Sequence, residues 1–408
     1  MINEIHRLTA EAVDLLKEMV AIPSPSFSEE AVCGHISEWM TARGLAHERI
    51  GNNIVAEHIT DLSKPVLMLC AHIDTVSPGE GYEFDPYEPD YDTAAEVIGR
   101  MTEGETGAGD IVAGLGSNDD GASAVSMLAA YRRLSRRGHI PPHNDMVSSD
   151  DGNNMSLRAE RGSLKAECPN LLMVLSCEEE RSGRSGMTGL WGSRICRRGE
   201  EVEGCTPVDF AIIGEPTGMR AATSERGLLV IDATAHGVSG HAARNEGENA
   251  LYIAIDDIAK LRAHEFGKVS ERMGKVNLNV TQISAGTAHN VIPDRCDFVI
   301  DIRPTEQYTN EELLAELQSR CRSELKARNL ANRSSATFKN SPLQRAAEAL
   351  GIETFSSPTT SDWMRINCDA VKMGPGDSSR SHRRNEFVFV REIEEGIEQY
   401  INFIEHLL

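Results

Sequence analysis

Three short runs with no polar face constrain this chain most. Residues 65–71 read Pro-Val-Leu-Met-Leu-Cys-Ala, residues 170–176 Asn-Leu-Leu-Met-Val-Leu-Ser, and residues 209–214 Asp-Phe-Ala-Ile-Ile-Gly. A strand with one wet face alternates apolar and polar residues. A run that is apolar throughout needs cover on both faces, as buried parallel strands have. A helical stretch over 122–134 separates the first two runs, and residues 4–20 carry Ile5, Leu8, Ala12, Leu15 and Met19 at helical spacing. Strands alternating with helices in this way predict an α/β layer with helices on both faces of a sheet. Pro23 and Pro25 end the first helix, Ser26 and Glu29 are spaced as a capping box for a second, and Gly44 stops it.

The pattern changes between residues 222 and 335. A strand is expected over 227–235, a helix over 249–262, alternating strands over 276–283 and 296–303, and a helix over 311–326. Strand, helix, strand, strand, helix is an α+β sandwich. A chain of 408 residues exceeds what one compact core holds. The expected organisation is therefore a first domain over 1–221, an inserted domain over 222–335, and a return to the first domain over 336–408. Two stretches read as mobile surface excursions: 88–110, acidic and rich in glycine, and 139–168, which carries Pro141 and Pro142.

Charge narrows the partners. There are 41 basic against 63 acidic residues, a net charge of -22. Nucleic-acid binding needs clustered Lys and Arg, so it is excluded. No apolar run reaches the roughly 20 residues that span a bilayer. Residues 1–10 are mixed and polar, without the pattern of a secretory signal, so a cytoplasmic protein is expected. Nine cysteines with no C-x-x-C pair fit reduced thiols.

Five segments carry the chemistry, each beside an apolar run or in a tight turn. His72-Ile73-Asp74 follows the first run, where α/β sheets bind ligands; an acid two residues on points to the same side. Gly114-Leu115-Gly116-Ser117-Asn118-Asp119-Asp120 leads into a helix, and its acids would repel a phosphate. Glu178, Glu179 and Glu180 follow the second run; their repulsion needs a cation or a shared proton. Glu215-Pro216 follows the third, and Gly374-Pro375-Gly376-Asp377 leads to His382 in a tight loop. Each segment alone reads equally as a capped strand end or a surface turn. Together they supply histidine nitrogen and carboxylate oxygen, a donor set that suits zinc, with cobalt or manganese as substitutes.

The order of these segments resembles the metallo-peptidase and aminoacylase family that includes acetylornithine deacetylase and succinyl-diaminopimelate desuccinylase. In finer detail it looks like the deacetylases of N-acetyl- or N-succinylornithine of Bacteroides-type bacteria. The resemblance implies a phosphorylase/hydrolase-like three-layer αβα domain with a mixed sheet, and an inserted ferredoxin-like domain that acts as lid and dimerisation surface. It implies two zinc ions, the first held by His72, Asp119 and Glu215, the second by Asp119, Glu180 and His382. Asp74 would orient His72, and Glu179 would be the general base; a register one residue earlier would give the roles of base and ligand to Glu178 and Glu179. His241 would reach into the partner subunit's site of a homodimer, and Asn290, Arg226 and Arg303 would hold the substrate. That substrate would be a small N-acyl amino acid, N-acetylornithine or N-succinylornithine, in arginine biosynthesis. A di- or tripeptidase, or a diaminopimelate desuccinylase, would use the same scaffold; a non-catalytic metal-binding protein is the alternative of another class. Arg383 and Arg384 depart from the family's uncharged stretch after the histidine, and either meet an acidic acyl group or face solvent.

Overall fold

A computed structural model describes residues 2–136, 169–244 and 246–408. The excursion expected over 139–168 lies outside the described residues. The chain forms two compact units, Met1–Met219 with Met373–Leu408, and Arg220–Lys372.

The first unit is built on the three apolar runs. Val66–His72 lies parallel to Asn170–Ser176 on one side and to Phe210–Ile213 on the other, and Asn53–His58 adds antiparallel beyond Asn170–Ser176. Every residue of Val66–His72 and Asn170–Ser176 is buried, as a strand covered on both faces must be. Register decides where these strands end: His72 is paired with Ser176, and Cys70 with Ile213. All three strands therefore deliver their next residues to the same edge of the sheet. Helices Ile2–Val20, Ala122–Ser135 and Val390–Leu407 pack together, and Ala122–Ser135 lies on Val66–His72 and Asn170–Ser176.

The acidic stretch 88–110 is not a bare excursion. Tyr91–Thr102 is a helix, capped by Asp90, whose side chain accepts the Thr93 N–H at 2.8 Å. Its Ala94, Ala95, Val97 and Ile98 bury against Phe84, Ile111 and Phe387. The expected capping box at 26–29 also fails to form. Ser26 donates its hydroxyl to Asp74 at 2.6 Å, and Glu29 accepts the Phe27 N–H at 2.7 Å. Helix Glu30–Ala42 starts with no side-chain cap.

In the second unit Leu229–His236, Asn277–Ala285, Arg295–Arg303 and Glu324–Ala327 form an antiparallel sheet. Leu229–His236 and Arg295–Arg303 alternate buried and less buried positions, so one face is covered. Helices Ala250–Ala263 and Asn310–Gln318 supply that cover, with Leu261, Leu313 and Leu317 packed beside Phe298 and Ile300. The element order, β-α-β-β-α-β, is that of a ferredoxin-like layer. The unit continues past residue 335: Thr354–Ser357 and Asp369–Lys372 both pair with Ala221–Glu225. Among the described residues no helix is long and apolar enough to cross a membrane.

The helix expected over 311–326 ends early, and Asp257 is the reason. Its buried carboxylate accepts the N–H groups of Arg322 at 2.9 Å and Ser323 at 2.8 Å, and the Ser323 hydroxyl at 2.8 Å. The chain turns there, and Glu324–Ala327 leaves as a strand. Burial pushes the Asp257 carboxyl up, but the Ser323 N–H and hydroxyl and the Lys260 ammonium outweigh it and hold the group below the ordinary aspartate value. Asp257→Ala leaves two N–H groups without their acceptor and should destabilise the unit by roughly 2–4 kcal/mol in urea unfolding near neutral pH. A depressed carboxyl contributes stability above its unfolded value and loses it as pH falls, so the gap between variant and parent should shrink in acid.

Candidate metal centre

The strand ends place the expected ligands. His72 is the last residue of its strand and is buried. One step beyond Ser176 the chain turns, with Glu178 at φ 60, and presents Glu179 and Glu180. Glu215 stands two residues past Ile213. The turn Ser117–Gly121 brings Asp119, and the loop after Gly376 brings His382. Gly376 has φ 86, and a side chain there would collide with Asn118. Asn118 clasps this loop: its amide donates to the Asp377 carbonyl at 3.1 Å, and its oxygen accepts the Asp377 N–H at 2.9 Å.

Ligand atoms of His72, Asp119 and Glu180 lie within 4.8 Å of one another. His72 Nε2 is 3.2 Å from Asp119 Oδ1. His382 Nε2 is 2.8 Å from Glu180 Oε1 and 3.6 Å from Asp119 Oδ2. Four of the five expected ligands are thus linked into one group. Glu215 is on the neighbouring strand end, outside the group of three.

Buried carboxylates hold the loops that carry these ligands. Asp74 accepts the N–H groups of Glu179 at 3.0 Å and Glu180 at 3.1 Å. Glu29 accepts the Glu178 N–H at 3.1 Å. Glu386 accepts those of Asn118 and Asp119, each at 3.0 Å. Asp74 meets the His72 ring through two groups. His72 Nδ1 bonds the Asp74 backbone carbonyl at 2.9 Å, and the Asp74 carboxylate is 3.5 Å away. The carbonyl fixes the ring, and the carboxylate stands beside the ring while it holds the glutamate loop. That loop also separates the glutamates: the Glu178 carboxylate turns back to the Ser185 N–H at 2.9 Å, and Glu180 faces the histidines.

The electrostatics fit a cation. Hydrogen bonding to Glu180 raises the His382 proton affinity to about 9 against the effect of burial, helped by the charge of Asp119. Burial opposes a charge on His72, yet Asp119, Asp74 and Glu179 raise it well above the ordinary histidine value. Both rings are thus set among acids that favour positive charge there. A divalent cation could supply that charge in place of protons, because metal ligands must be deprotonated. Asp120 is buried next to Asp119, and burial pushes it up to about 8.

The remaining expected site residues belong to the second unit. His241 is exposed, and its Nδ1 accepts the Ala243 N–H at 3.2 Å, which leaves the ring proton on Nε2. Asn290 is exposed at the turn before Val291–Ile292. Arg226 and Arg303 both have partners inside this unit. The Arg226 guanidinium is engaged by the carbonyls of Lys275 at 2.9 Å, Arg303 at 3.2 Å and Met273. Arg303 forms a two-pronged pair with Asp301 at 2.9 and 3.1 Å. Both guanidinium groups are thus held by partners within the unit.

Known proteins share this plan. Residues 223–329 match the peptidase dimerisation domain of the M20 type. The chain is 25% identical to a succinyl-diaminopimelate desuccinylase of Xanthomonas campestris pv. campestris over 98% of its own length and 100% of that protein. Its fold is like that of the aminopeptidase PepT from Bacillus cereus, with a TM-score of 0.67, 18% identity and 98% of each chain covered. It is also like that of a Bacillus subtilis protein described as a dinuclear metal binding peptidase from the M20 family, with a TM-score of 0.62 and 15% identity, over 98% of each chain. The chain is a metallopeptidase-like amide hydrolase.

In this hydrolase the ligand types are legible in sequence, and the residues that position them are not. Ser26 and Glu29 read as a helix cap, and no motif marks Glu386 as the support of the Asp119 turn. The one signal available is that Glu29 and Glu386 are acids close to apolar or small residues, a pattern too common to select them. Replacing Asp74 or Glu386 by Ala removes an acceptor of two ligand-loop N–H groups. Each variant should bind divalent metal about 10–100-fold more weakly, read by competition with a chromogenic chelator.

Proposed function

We propose that this chain is a two-metal amidohydrolase that removes the acyl group from an N-acyl amino acid, with N-acetylornithine or N-succinylornithine as the leading substrates. The observation that carries the reading is the meeting of His72, Asp119, Glu180 and His382 at one edge of the sheet. His72, Asp119 and Glu215 would hold one metal, and Asp119, Glu180 and His382 the other; zinc suits these donors, and cobalt or manganese could replace it. The metals would supply polarisation of the scissile carbonyl and a water made acidic near neutral pH.

The chain's own groups do the rest. Asp74 holds the backbone of Glu179 and so aims its carboxylate. Glu179 takes the proton of the attacking water and delivers it to the leaving nitrogen, a task that needs a carboxylate within hydrogen-bond reach of both. His241 donates its Nε2 proton to the developing oxyanion, which a preorganised donor stabilises. The dimerisation-type domain supports a homodimer in which this histidine serves the partner subunit's site. A second reading, a diaminopimelate desuccinylase, is supported by the full-length likeness to such enzymes. The same groups would act on either amide.

Glu179→Ala should abolish hydrolysis of N-acyl amino acids while zinc content, measured by atomic emission, stays at the parent's level. Loss of metal with surviving activity would assign Glu179 as a ligand and defeat the reading. Mixing Glu179→Ala and His241→Ala proteins under subunit exchange should restore part of the activity that each lacks alone. Additive inactivity would place His241 in its own subunit's site or outside catalysis.

A further inference from the structure

His382 reaches its place from the surface rather than from the core. Its side chain is 55% exposed, and its ring meets Glu180 Oε1 at 2.8 Å and Asp119 Oδ2 at 3.6 Å. Its backbone lies at φ 58, a region that a residue with a side chain enters at a cost. Neither packing nor backbone preference fixes this histidine, so its loop must. Upstream the loop is pinned at Asp377, by the two bonds from Asn118, and at Arg380, whose guanidinium bonds Glu392 at 2.7 and 3.0 Å. Downstream it is pinned at Arg383 and Asn385. Asn385 also has a positive φ, 61, and only 2% of its surface is exposed.

The downstream pin is the lobe formed by helix Tyr91–Thr102 and the segment before it. The Asn385 side-chain oxygen accepts the Glu83 N–H at 2.8 Å, and its amide donates to Glu83 Oε1 at 3.0 Å. The other Glu83 oxygen accepts the Arg100 guanidinium at 2.8 Å, which ties the pair to the helix. Met101 Sδ lies 3.9 Å from the same Asn385 amide. Tyr82 donates its hydroxyl to the Arg383 carbonyl at 3.2 Å. Beneath these bonds Phe84, Ala94 and Ile98 form one apolar cluster with Phe387. The polar joint of the lobe and its apolar seat thus both fall on the segment that follows His382.

We propose that this lobe is a strut for His382, with Asn385 and Glu83 as its joint. Both are positioning residues that act through His382: the joint sets where the ring stands against Glu180 and Asp119. Asparagine also enters the left-handed region for its own sake, because its short polar side chain bonds locally. Here the partner is 302 positions away in the chain, so the bonds serve the lobe and not the turn. This role rests on the two-metal reading, which makes His382 a ligand of one metal and not of the other. The effect is therefore selective. A loosened joint weakens the metal assigned to Asp119, Glu180 and His382, and spares the one assigned to His72, Asp119 and Glu215.

The test titrates the metal-free full chain with zinc against a chromogenic chelator and reads stoichiometry and affinities. The parent should take up two zinc ions, and H382A should lose one of them. N385A should weaken that same ion roughly 10–100-fold and leave the other within about twofold. N385G suits the left-handed backbone but lacks the clasp, and should weaken the same ion likewise. E83Q keeps an acceptor for the Asn385 amide and should stay near the parent, whereas E83A should resemble N385A. In an H382A background N385A should change nothing further. Far-UV circular dichroism checks each fold, and N385G and E83A read the same joint should N385A fail to fold. Parent-like binding by N385G, equal weakening of both ions, or a further loss in N385A/H382A overturns the strut alone. A parent that binds a single zinc ion, or an H382A variant that keeps both, overturns the metal assignment and the strut with it.

Discussion

The site depends on one kind of interaction: a buried carboxylate accepting the backbone N–H groups of a turn that carries a ligand. Asp74 does this for Glu179 and Glu180, Glu386 for Asn118 and Asp119, and Glu29 for Glu178. A turn held through its backbone can present its side chain in one direction without spending that side chain on its own support. The same arrangement concentrates negative charge where strands end. Three supporting acids surround three acids expected as ligands, and only cations or protons make that density tolerable.

Much of this is legible in the sequence, for a physical reason. Strands covered on both faces must be apolar throughout, so 65–71, 170–176 and 209–214 stand out. Polar residues that interrupt or end such runs stand out equally, and His72, Glu180 and Glu215 are conspicuous in that way. The supporting acids have no such contrast. Asp74 draws notice for its spacing from His72, which points to the ring; its carboxylate also holds the glutamate loop. Ser26 reads as part of a helix cap because capping and tethering use the same residue types at the same spacing. Only tertiary contact separates them.

The elements that depart from expectation follow the same logic. Tyr91–Thr102 carries its small apolar face as alanine, valine and isoleucine among acids, and in the sequence the acids dominate. Glu324–Ala327 continues a plausible helical pattern, but Asp257 captures the turn before it, from 65 and 66 positions earlier in the chain. Arg226 and Arg303 read as open forks, and carbonyls and an aspartate of the same unit are their partners. In the last two cases the pattern around the residue is sound, and it does not reveal the three-dimensional neighbours.

Distance along the chain also orders events during synthesis. Glu180 and His382 are 202 positions apart, and Asn118 and Glu386 are 268 apart. The whole second unit is made between Glu180 and His382. A ribosome that has finished the sheet and its glutamate loop has still not produced His382 or the acid that fixes the Asp119 turn. Until His382 is made, the edge of the sheet is a cluster of acids lacking one histidine. A chain that stops before His382 therefore keeps the sheet's acids but lacks one expected ligand of the proposed metal pair.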